Sequence, residues 1–552
     1  APMILFLKKI NLYLNTLKYL QLSQIIYRLK FIFPVFKKKI TRSSIPKRRP
    51  ELNLKTYFLR YPRTIFSRKK FIFLNLESNE DISNLWNHEK KSKLWLFNLH
   101  YLRDLSNITD DSQQELMETI FQSWIEKNPL GFGVGWSSPT LSLRIVNLIK
   151  WFLEKKIENP FFIKSLVHQI RYLEKKIEYH LKGNHLLANA KALIFAGFYF
   201  QGNEAEIWLK KGMKILEKEI PEQILSDGGH FERSTMYHSI ILEDLLDLEN
   251  LFISNPYILS SKYLNIQELR RTIDKMISWL QAMIHPDNEI SFFNDAALKV
   301  SASPKNLFDY AKRLNHPLPV LENGLTYLQD SGYIRYESND FVLIIDVAEV
   351  CPSYLPAHAH ADTLSYEFSY KNQRIIVNSG TSQYDKSDQR NFERGTSAHS
   401  TLEIDGRNSS EIWDIFRVAK RAKVSDICFE EKNKKLIISA KHDGFSLCKD
   451  KIFHKRKWVI KKNGFKVKDK IIGSFSKAIS YTFLHPSVKV NEKYLLLDDS
   501  MKISWNSKPS TPRIESSLWH KEFGASKKNK NIQLDLNFKK NITKSNIKFK
   551  IN

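Results

Sequence analysis

Four short stretches gather polar side chains that a fold does not place together without cause. In Gly183-Asn184-His185-Leu186-Leu187-Ala188-Asn189-Ala190-Lys191, a predicted helix starts directly after a glycine, with Asn184 and His185 at its first turn. A helix start exposes unpaired N–H groups and the positive end of the helix dipole, which suits a carboxylate ligand. An Asn cap beside a surface His gives the same pattern. In Asp227-Gly228-Gly229-His230-Phe231-Glu232-Arg233-Ser234-Thr235-Met236-Tyr237-His238, Arg233 and Tyr237 are four apart and share a face if the segment is helical. A cation beside a phenol lowers its pKa, and a tyrosinate can take a proton from carbon; a buried Tyr with an Arg stacked on it reads equally well. In His358-Ala359-His360-Ala361-Asp362, two imidazoles fall on one side of an extended segment with a carboxylate nearby, the makings of a metal site or an acid/base site. In Arg390-Asn391-Phe392-Glu393-Arg394-Gly395-Thr396-Ser397-Ala398-His399-Ser400, two arginines and a His precede a strand. They either bind an acidic sugar or form salt bridges within the loop.

The elements that must position these stretches follow from periodicity. From about 90 to 315 apolar residues recur at helical spacing, predicting helices over roughly 112–127, 140–156, 160–181, 185–201, 204–219, 232–253 and 266–284. Short loops such as Asn128-Pro129-Leu130-Gly131 join them, and no strict repeat makes them a regular solenoid. A run of antiparallel helix pairs this long is expected to close into an incomplete ring. After about 325 the period becomes two, with strands predicted at 333–336, 341–347, 364–370, 374–377, 401–404, 436–440, 457–460, 465–467 and 481–484. Many short strands without intervening helices predict a large antiparallel sandwich. The expected organisation is an α+β multidomain chain: a basic helical extension and connector over 3–90, an (α/α) toroid over 91–320 and an antiparallel β-sandwich over 321–552. Ala1 and Pro2, ahead of Met3, are set aside as a cloning remnant.

Composition narrows the function classes. With 42% hydrophobic and 12% aromatic residues among 552, the chain buries a real core, which excludes general disorder. Cys351, Cys428 and Cys448 are far apart and unpaired in spacing, which excludes a disulfide framework and a thiolate zinc site. No uncharged apolar run reaches the roughly 18 residues of a membrane span. The net charge of +27 is uneven: 1–70 holds 18 Lys/Arg against 1 acidic residue, 416–552 holds 33 against 12, and the middle is acidic on balance. Such flanks either attract a polyanion or an acidic membrane surface or decorate solvated faces. No finger, helix-turn-helix or RNA-binding motif accompanies the charge, so nucleic acid is not expected. From Leu12 to Phe36 the pattern predicts one or two basic amphipathic helices, packed on the protein itself or lying on the inner membrane surface. Lys8 and Lys9 interrupt the opening apolar run and no cleavage site follows, so no signal peptide is expected and a cytoplasmic, membrane-peripheral location is.

Taken in order, these stretches make the chain resemble the heparinase II/III-like family of polysaccharide lyases. The resemblance runs from Trp95-Leu96-Phe97-Asn98-Leu99-His100-Tyr101 through the Asn184 and Tyr237 segments and the His358/His360 pair to His399. It implies an (α/α) toroid followed by a sandwich, and β-elimination at a uronic acid. The weakly acidic C5 proton is removed as the glycosidic oxygen leaves C4, which requires the sugar carboxylate to be neutralised. By this resemblance Asn184 and His185 hold the carboxylate, Tyr237 is base, acid or both, and His358 is the partner acid/base across the sugar. Arg233, Arg390 and Arg394 are expected substrate contacts. Relatives use a His, an Asp and a further His for zinc; the matching positions here are His360, Asn378 and His399. An amide is a poorer zinc ligand than a carboxylate, so a cleft without tightly bound metal is expected and no cofactor is required.

Other fates share the first step. A uronyl C5-epimerase also abstracts the C5 proton and returns one to the opposite face, and a polysaccharide-binding or assembly protein keeps the cleft without turnover. A glycoside hydrolase needs paired cleft carboxylates; Asp227 and Glu232 are the candidates, and both also read as helix-start residues.

Overall fold

The computed structural model describes residues 2–32, 44–55, 58–259, 265–447, 451–497, 501–509, 511–537 and 542–551. The end of the predicted N-terminal helix after Ile32, and Cys448, lie outside them. The chain begins with two helices, α1 (Pro2–Leu17) and α2 (Leu22–Ile32). A three-stranded antiparallel sheet follows (Ile65–Ser67, Lys70–Phe73, Leu76–Ser78), where the proline-punctuated sequence shows no clear period.

Helices then occupy the chain from Lys93 to Arg313: Lys93–Tyr101, Asp111–Lys127, Ser138–Glu154, Pro160–Lys175, Gly183–Tyr199, Asn203–Gln223, Thr235–Ser254, Ile266–Met283 and Pro304–Arg313. Their starts are set by side-chain caps. Asp110, Asn159, Ser234, Asn265 and Ser303 each accept a first-turn amide proton, and Pro160 and Pro304 sit where a missing N–H costs nothing. Two boundaries differ from the periodicity for local reasons. The helix predicted from 232 starts at Thr235, because Ser234 caps it and Arg233 has φ +56°. The helix predicted to 181 stops at Lys175, and the chain turns through Lys182 and Gly183, both at positive φ, to start the next one.

From Gly324 onward the chain is mostly strand. A five-stranded sheet runs Gly324–Leu328, Tyr333–Glu337, Phe341–Asp346, Tyr366–Tyr370 and Gln373–Ile376, each antiparallel to the next. An eight-stranded sheet holds Val424–Lys432, Lys435–His442, Phe453–Lys461, Gly464–Ile472, Ile542–Ile551, Lys502–Lys508, Tyr494–Leu496 and Lys489–Val490 in that order. A four-stranded sheet orders Arg513–Glu522, Ala525–Asn537, Lys477–Phe483 and Leu402–Ile404. Phe341 and Phe368 of the first sheet meet Phe465 of the second at ring separations of 6.4 and 4.8 Å, within a shared apolar layer. Helices and sheets also share a core: Phe292 packs on Trp519 at 5.5 Å, and Trp279 and Phe293 pack on Tyr333. Burying these rings on both sides leaves the two halves little freedom to slide. Among the described residues no helix is long and apolar enough to cross a membrane.

Candidate active site

Polar side chains collect where the starts of the helices Gly183–Tyr199 and Thr235–Ser254 face the loops around Asn294 and His358 and the short helix Asp388–Arg394. Gly183 makes the approach possible. A Cβ at this position would lie 2.5 Å from Leu355 and 2.8 Å from Glu232 Oε1, and φ is +59°. The loops are fastened to each other by backbone and side-chain bonds: Asp295 N–H to His358 O at 2.9 Å, His360 N–H to Asn294 Oδ1 at 3.0 Å and Asn294 N–H to Asp362 Oδ2 at 3.1 Å.

Asp295, which the sequence reading passed over, is the hub. Its fully buried carboxylate accepts from His358 Nδ1 at 2.9 Å, His360 Nε2 at 2.8 Å and both terminal nitrogens of Arg390 at 2.5 and 2.8 Å. Burial alone would raise the Asp295 carboxyl, but Arg390 and the two imidazoles outweigh it and hold it well below the usual carboxylate range. His358 and His360 do fall on one side, though through a turn rather than the expected extended strand: 356–363 form no ladder. Because a carboxylate only accepts, His358 carries its proton on Nδ1, and Nε2 is the free basic nitrogen.

The Tyr237 ring stacks on His358 with centroids 3.8 Å apart, and its hydroxyl bonds that of Tyr384 at 3.0 Å. Burial first, and then the Asp295 carboxylate, push the Tyr237 phenol well above its usual value. This corrects the expected phenol lowered by Arg233. Arg233 lies outside the helix and turns away, donating to the carbonyls of Glu349 at 2.7 Å and Asp330 at 3.0 Å.

Glu232 links the two sides. Its Oε2 accepts from Asn184 Nδ2 at 3.3 Å and lies 3.8 Å from His358 Nε2. Burial raises the Glu232 carboxyl against the opposing pull of His358 and the Asn184 N–H, favouring the neutral acid. Asp227, the other candidate carboxylate, is tied into a turn by the Gly229 and Ser331 amides and does not pair with it. His185 is partly exposed beside Glu178, at 3.3 Å; burial draws its pKa down, but that carboxylate prevails and the net direction is up. Asn184, Tyr237 and His358 thus stand in one contiguous group, with His185 at its edge.

The two remaining arginines differ from the expected substrate contacts. Both are fully buried, and every side-chain nitrogen already has a protein acceptor. Arg390 holds Asp295 and the Ile415 carbonyl; Arg394 holds the carbonyls of Ala359, Asp414 and Arg417. Burial and the neighbouring Arg390 bring Arg394 down to about 9.

At the expected metal position, His360 Nδ1 and His399 Nε2 face each other at 3.1 Å, while His399 Nδ1–H donates to the Gly395 carbonyl at 2.7 Å. Asn378 Oδ1 already accepts from the Ser400 amide at 3.1 Å, and its buried Nδ2 has no acceptor. An amide that turns an N–H donor toward its surroundings is no substitute for a carboxylate ligand, so this donor set does not fit zinc. Among the described residues no group of three or more His, Cys, Asp or Glu could hold a metal ion.

Tyr384, the second residue without a signal in the sequence, also lines a cavity of about 360 Å³ with Leu94, Gln389, His520 and Phe523. Phe416 packs edge-on to both Tyr384, at 5.2 Å, and His358, at 5.9 Å. One buried face therefore carries a protonated phenol, an imidazole nitrogen with a free lone pair, and a carboxyl whose burial favours its neutral form, with an amide beside it. Such a set can take a proton from carbon, deliver one to oxygen and neutralise an anion between them.

Comparison with known proteins places these features in context. Residues 62–316 match the family model "Heparinase II/III N-terminus" and residues 322–550 match "Heparinase II/III-like, C-terminal". A heparin-sulfate lyase of Bacteroides stercoris is 27% identical over 260 residues, 44% of this chain and 38% of that protein. The heparin-sulfate lyase of Bacteroides thetaiotaomicron is 25% identical over 338 residues, 52% of this chain and 47% of that protein. The chain thus spans about half the length of the curated relatives it matches, or less. Among solved structures, heparinase III superposes with a TM-score of 0.69 at 19% identity, covering 85% of this chain and 79% of that one. A Streptomyces coelicolor A3 chondroitin AC lyase complexed with chondroitin sulphate superposes at 0.52 with 9% identity, covering 82% and 74%. These likenesses concern the fold: helices followed by sheets, in the same arrangement.

Proposed function

The chain belongs to the heparinase II/III-like family, and from that membership we propose that it is a polysaccharide lyase acting on a uronic-acid-containing polysaccharide or oligosaccharide by β-elimination. The observation that carries the reading is the Tyr237 phenol stacked on the His358 imidazole at 3.8 Å, with Asn184 and Glu232 beside them. In architectural terms the helices from Lys93 to Arg313 form an (α/α) toroid and the sheets beyond Gly324 a β-sandwich, with the site on the seam. The names of the relatives, heparin-sulfate and chondroitin lyases, support an anionic polysaccharide as substrate.

The sugar carboxylate is received by Asn184, by His185, whose protonated form Glu178 favours, and by Glu232, whose neutral form burial favours; together they oppose the charge that builds on it as C5 loses its proton. His358 Nε2 takes that proton; Asp295 holds Nδ1–H and stabilises the imidazolium that forms. The C5–H electrons become the C4–C5 double bond, the C4–O bond breaks, and Tyr237 donates its proton to the departing oxygen. A phenol held above its usual pKa keeps its proton in the resting site, where it is available to the strongly basic departing oxygen. Tyr384 shares the Tyr237 hydrogen bond and restores the proton balance from solvent. Arg390 and Arg394 position the loops that carry Asp295 and His358 rather than touching the sugar. No metal takes part in this reading, because Asn378 leaves His360 and His399 without a third ligand.

The test is incubation with a panel of uronate polymers while following near-ultraviolet absorbance of the 4,5-unsaturated product. Turnover with at least one polymer, abolished in Tyr237→Phe, is the expected result. Solvent deuterium entering at C5 with no absorbance change would instead make the chain an epimerase. Binding without either signal would leave an assembly protein.

A further inference from the structure

The outer surface of α1 and α2 is the least explained part of the molecule. On α1, Met3, Phe6, Leu7, Ile10, Leu14 and Leu17 recur at helical spacing and are exposed, Met3 by 72% and Leu14 by 61%. On α2, Leu22, Ile25, Ile26, Leu29 and Ile32 do the same, Leu22 by 71%. At the pitch of an α-helix each set forms an apolar stripe of roughly 100° or slightly more. Both stripes are turned away from the body, because the opposite faces hold the hairpin down. Thr16 Oγ1 accepts from Trp413 Nε1 at 3.0 Å, Tyr13 packs edge-on to Trp413 at 4.8 Å, and the Arg421 guanidinium lies 3.8 Å over Tyr19. Tyr27 stacks on Tyr179 at 4.9 Å, and Gln24 Nε2 donates to the Tyr354 carbonyl at 3.2 Å.

Monomeric proteins rarely leave apolar faces of this kind uncovered. Its charge says what covers it. The sequence of 2–32 contains Lys8, Lys9, Lys18, Arg28 and Lys30 and no acidic residue. These cations are exposed; at helical pitch Lys9, Arg28 and Lys30 border the stripes, while Lys8 lies on the far side of α1. A second copy of the chain would set like charges against each other across the contact, whereas an anionic bilayer surface complements both the cations and the apolar side chains. Neither helix crosses a membrane: α1 has 16 residues with Lys8 and Lys9 near its middle, and α2 has 11. In-plane seating at the headgroup boundary is the arrangement open to an apolar face bordered by Lys and Arg.

We propose that the α1–α2 hairpin docks the protein on an anionic lipid surface, with both helices lying in the plane of the headgroups. The inference is independent of the chemistry assigned to the groove. The segment touches Lys182, beside Asn184, on one half and Arg417 on the other, so docking would bring both halves close to the lipid.

The experiment is flotation of the full chain with phosphatidylcholine vesicles, with and without phosphatidylglycerol. The chain is expected to float with phosphatidylglycerol vesicles, to be released by high salt, and to stay down with phosphatidylcholine alone. A triple variant, Leu7→Gln with Leu14→Gln and Leu29→Gln, is expected to lower partitioning about tenfold or more, since each side chain loses its apolar transfer free energy. All three side chains are exposed, so the melting temperature stays unchanged. Lys8→Glu with Lys9→Glu is expected to weaken binding to phosphatidylglycerol vesicles without touching the stripe. Failure of the unmodified chain to float with phosphatidylglycerol would overturn the proposal. So would a dimer in sedimentation velocity that the triple variant dissolves, because the face would then belong to a second copy.

Discussion

A carboxylate that holds two imidazoles and a guanidinium decides what His358 can do before any sugar arrives. With Asp295 replaced by Asn, the side-chain amide can donate to His358 as well as accept, and the tautomer that leaves Nε2 basic is no longer enforced. Asp295→Asn is expected to lower kcat about a hundredfold or more while KM stays within a few-fold. A variant with near-normal turnover would remove Asp295 from the mechanism. Tyr237→Phe is expected to lose about two to four orders of magnitude in kcat while oligosaccharide binding, measured by calorimetry, persists. Loss of binding in step with turnover would make the phenol a binding group. At this scale the sequence was partly legible. Asn184, Tyr237 and His358 stand in motifs with a helix start or a doubled His, and those motifs announce themselves. Asp295 is a lone acid between Phe293 and Ala296, and nothing in its neighbours marks it. Arg390 and Arg394 show the opposite difficulty: spacing places the cations but not the direction in which they donate, and here Arg390 points at the buried Asp295 carboxylate and Arg394 at backbone carbonyls.

The elements place these residues through a few backbone decisions. Gly183 lets the Asn184 helix start against Leu355 and Glu232; Gly183→Ala forces a left-handed residue and a 2.5 Å contact at once. It is expected to cost about 1–3 kcal/mol in stability and to lower activity further by displacing Glu232. Urea melts and kinetics on the same preparation separate the two effects, and an unchanged melt would show that the loop yields freely. The helical half was readable because its apolar residues repeat at the helix period and its caps are ordinary Ser, Asp and Asn. Strands at Phe341–Asp346 and Tyr366–Tyr370 were readable because the first is a nearly continuous apolar run and the second alternates aromatic with polar residues. The strands missed are those whose outer face is Lys- and Asn-rich, such as Ala525–Asn537 and Ile542–Ile551. In the latter, Thr543 and Ser545 point inward alongside Ile547 and Phe549, so the alternation is one of burial rather than of polarity.

For the molecule as a whole, buried neutral histidines set the response to acid. Burial brings His399 down to about 4 and His100 and His238 to about 3, against an ordinary value of 6.5. Below about 6.5 the unfolded chain binds protons at these sites that the folded chain does not, so stability falls with decreasing pH until each folded value is passed. Melting temperature is expected to drop continuously from about pH 6.5 toward 4, and a flat profile across that window would contradict the burial of these rings. The same two halves that bury them are also clasped from outside. α1 and α2 grip Tyr179 and Lys182 on one shore of the groove and Trp413, Arg417 and Arg421 on the other. Any hinge that widens the groove must first peel away one set of those grips. The two halves are thus fastened together by a segment that adds no side chain to the group around His358, and loosening it is expected to change how freely the halves hinge rather than the geometry at that group.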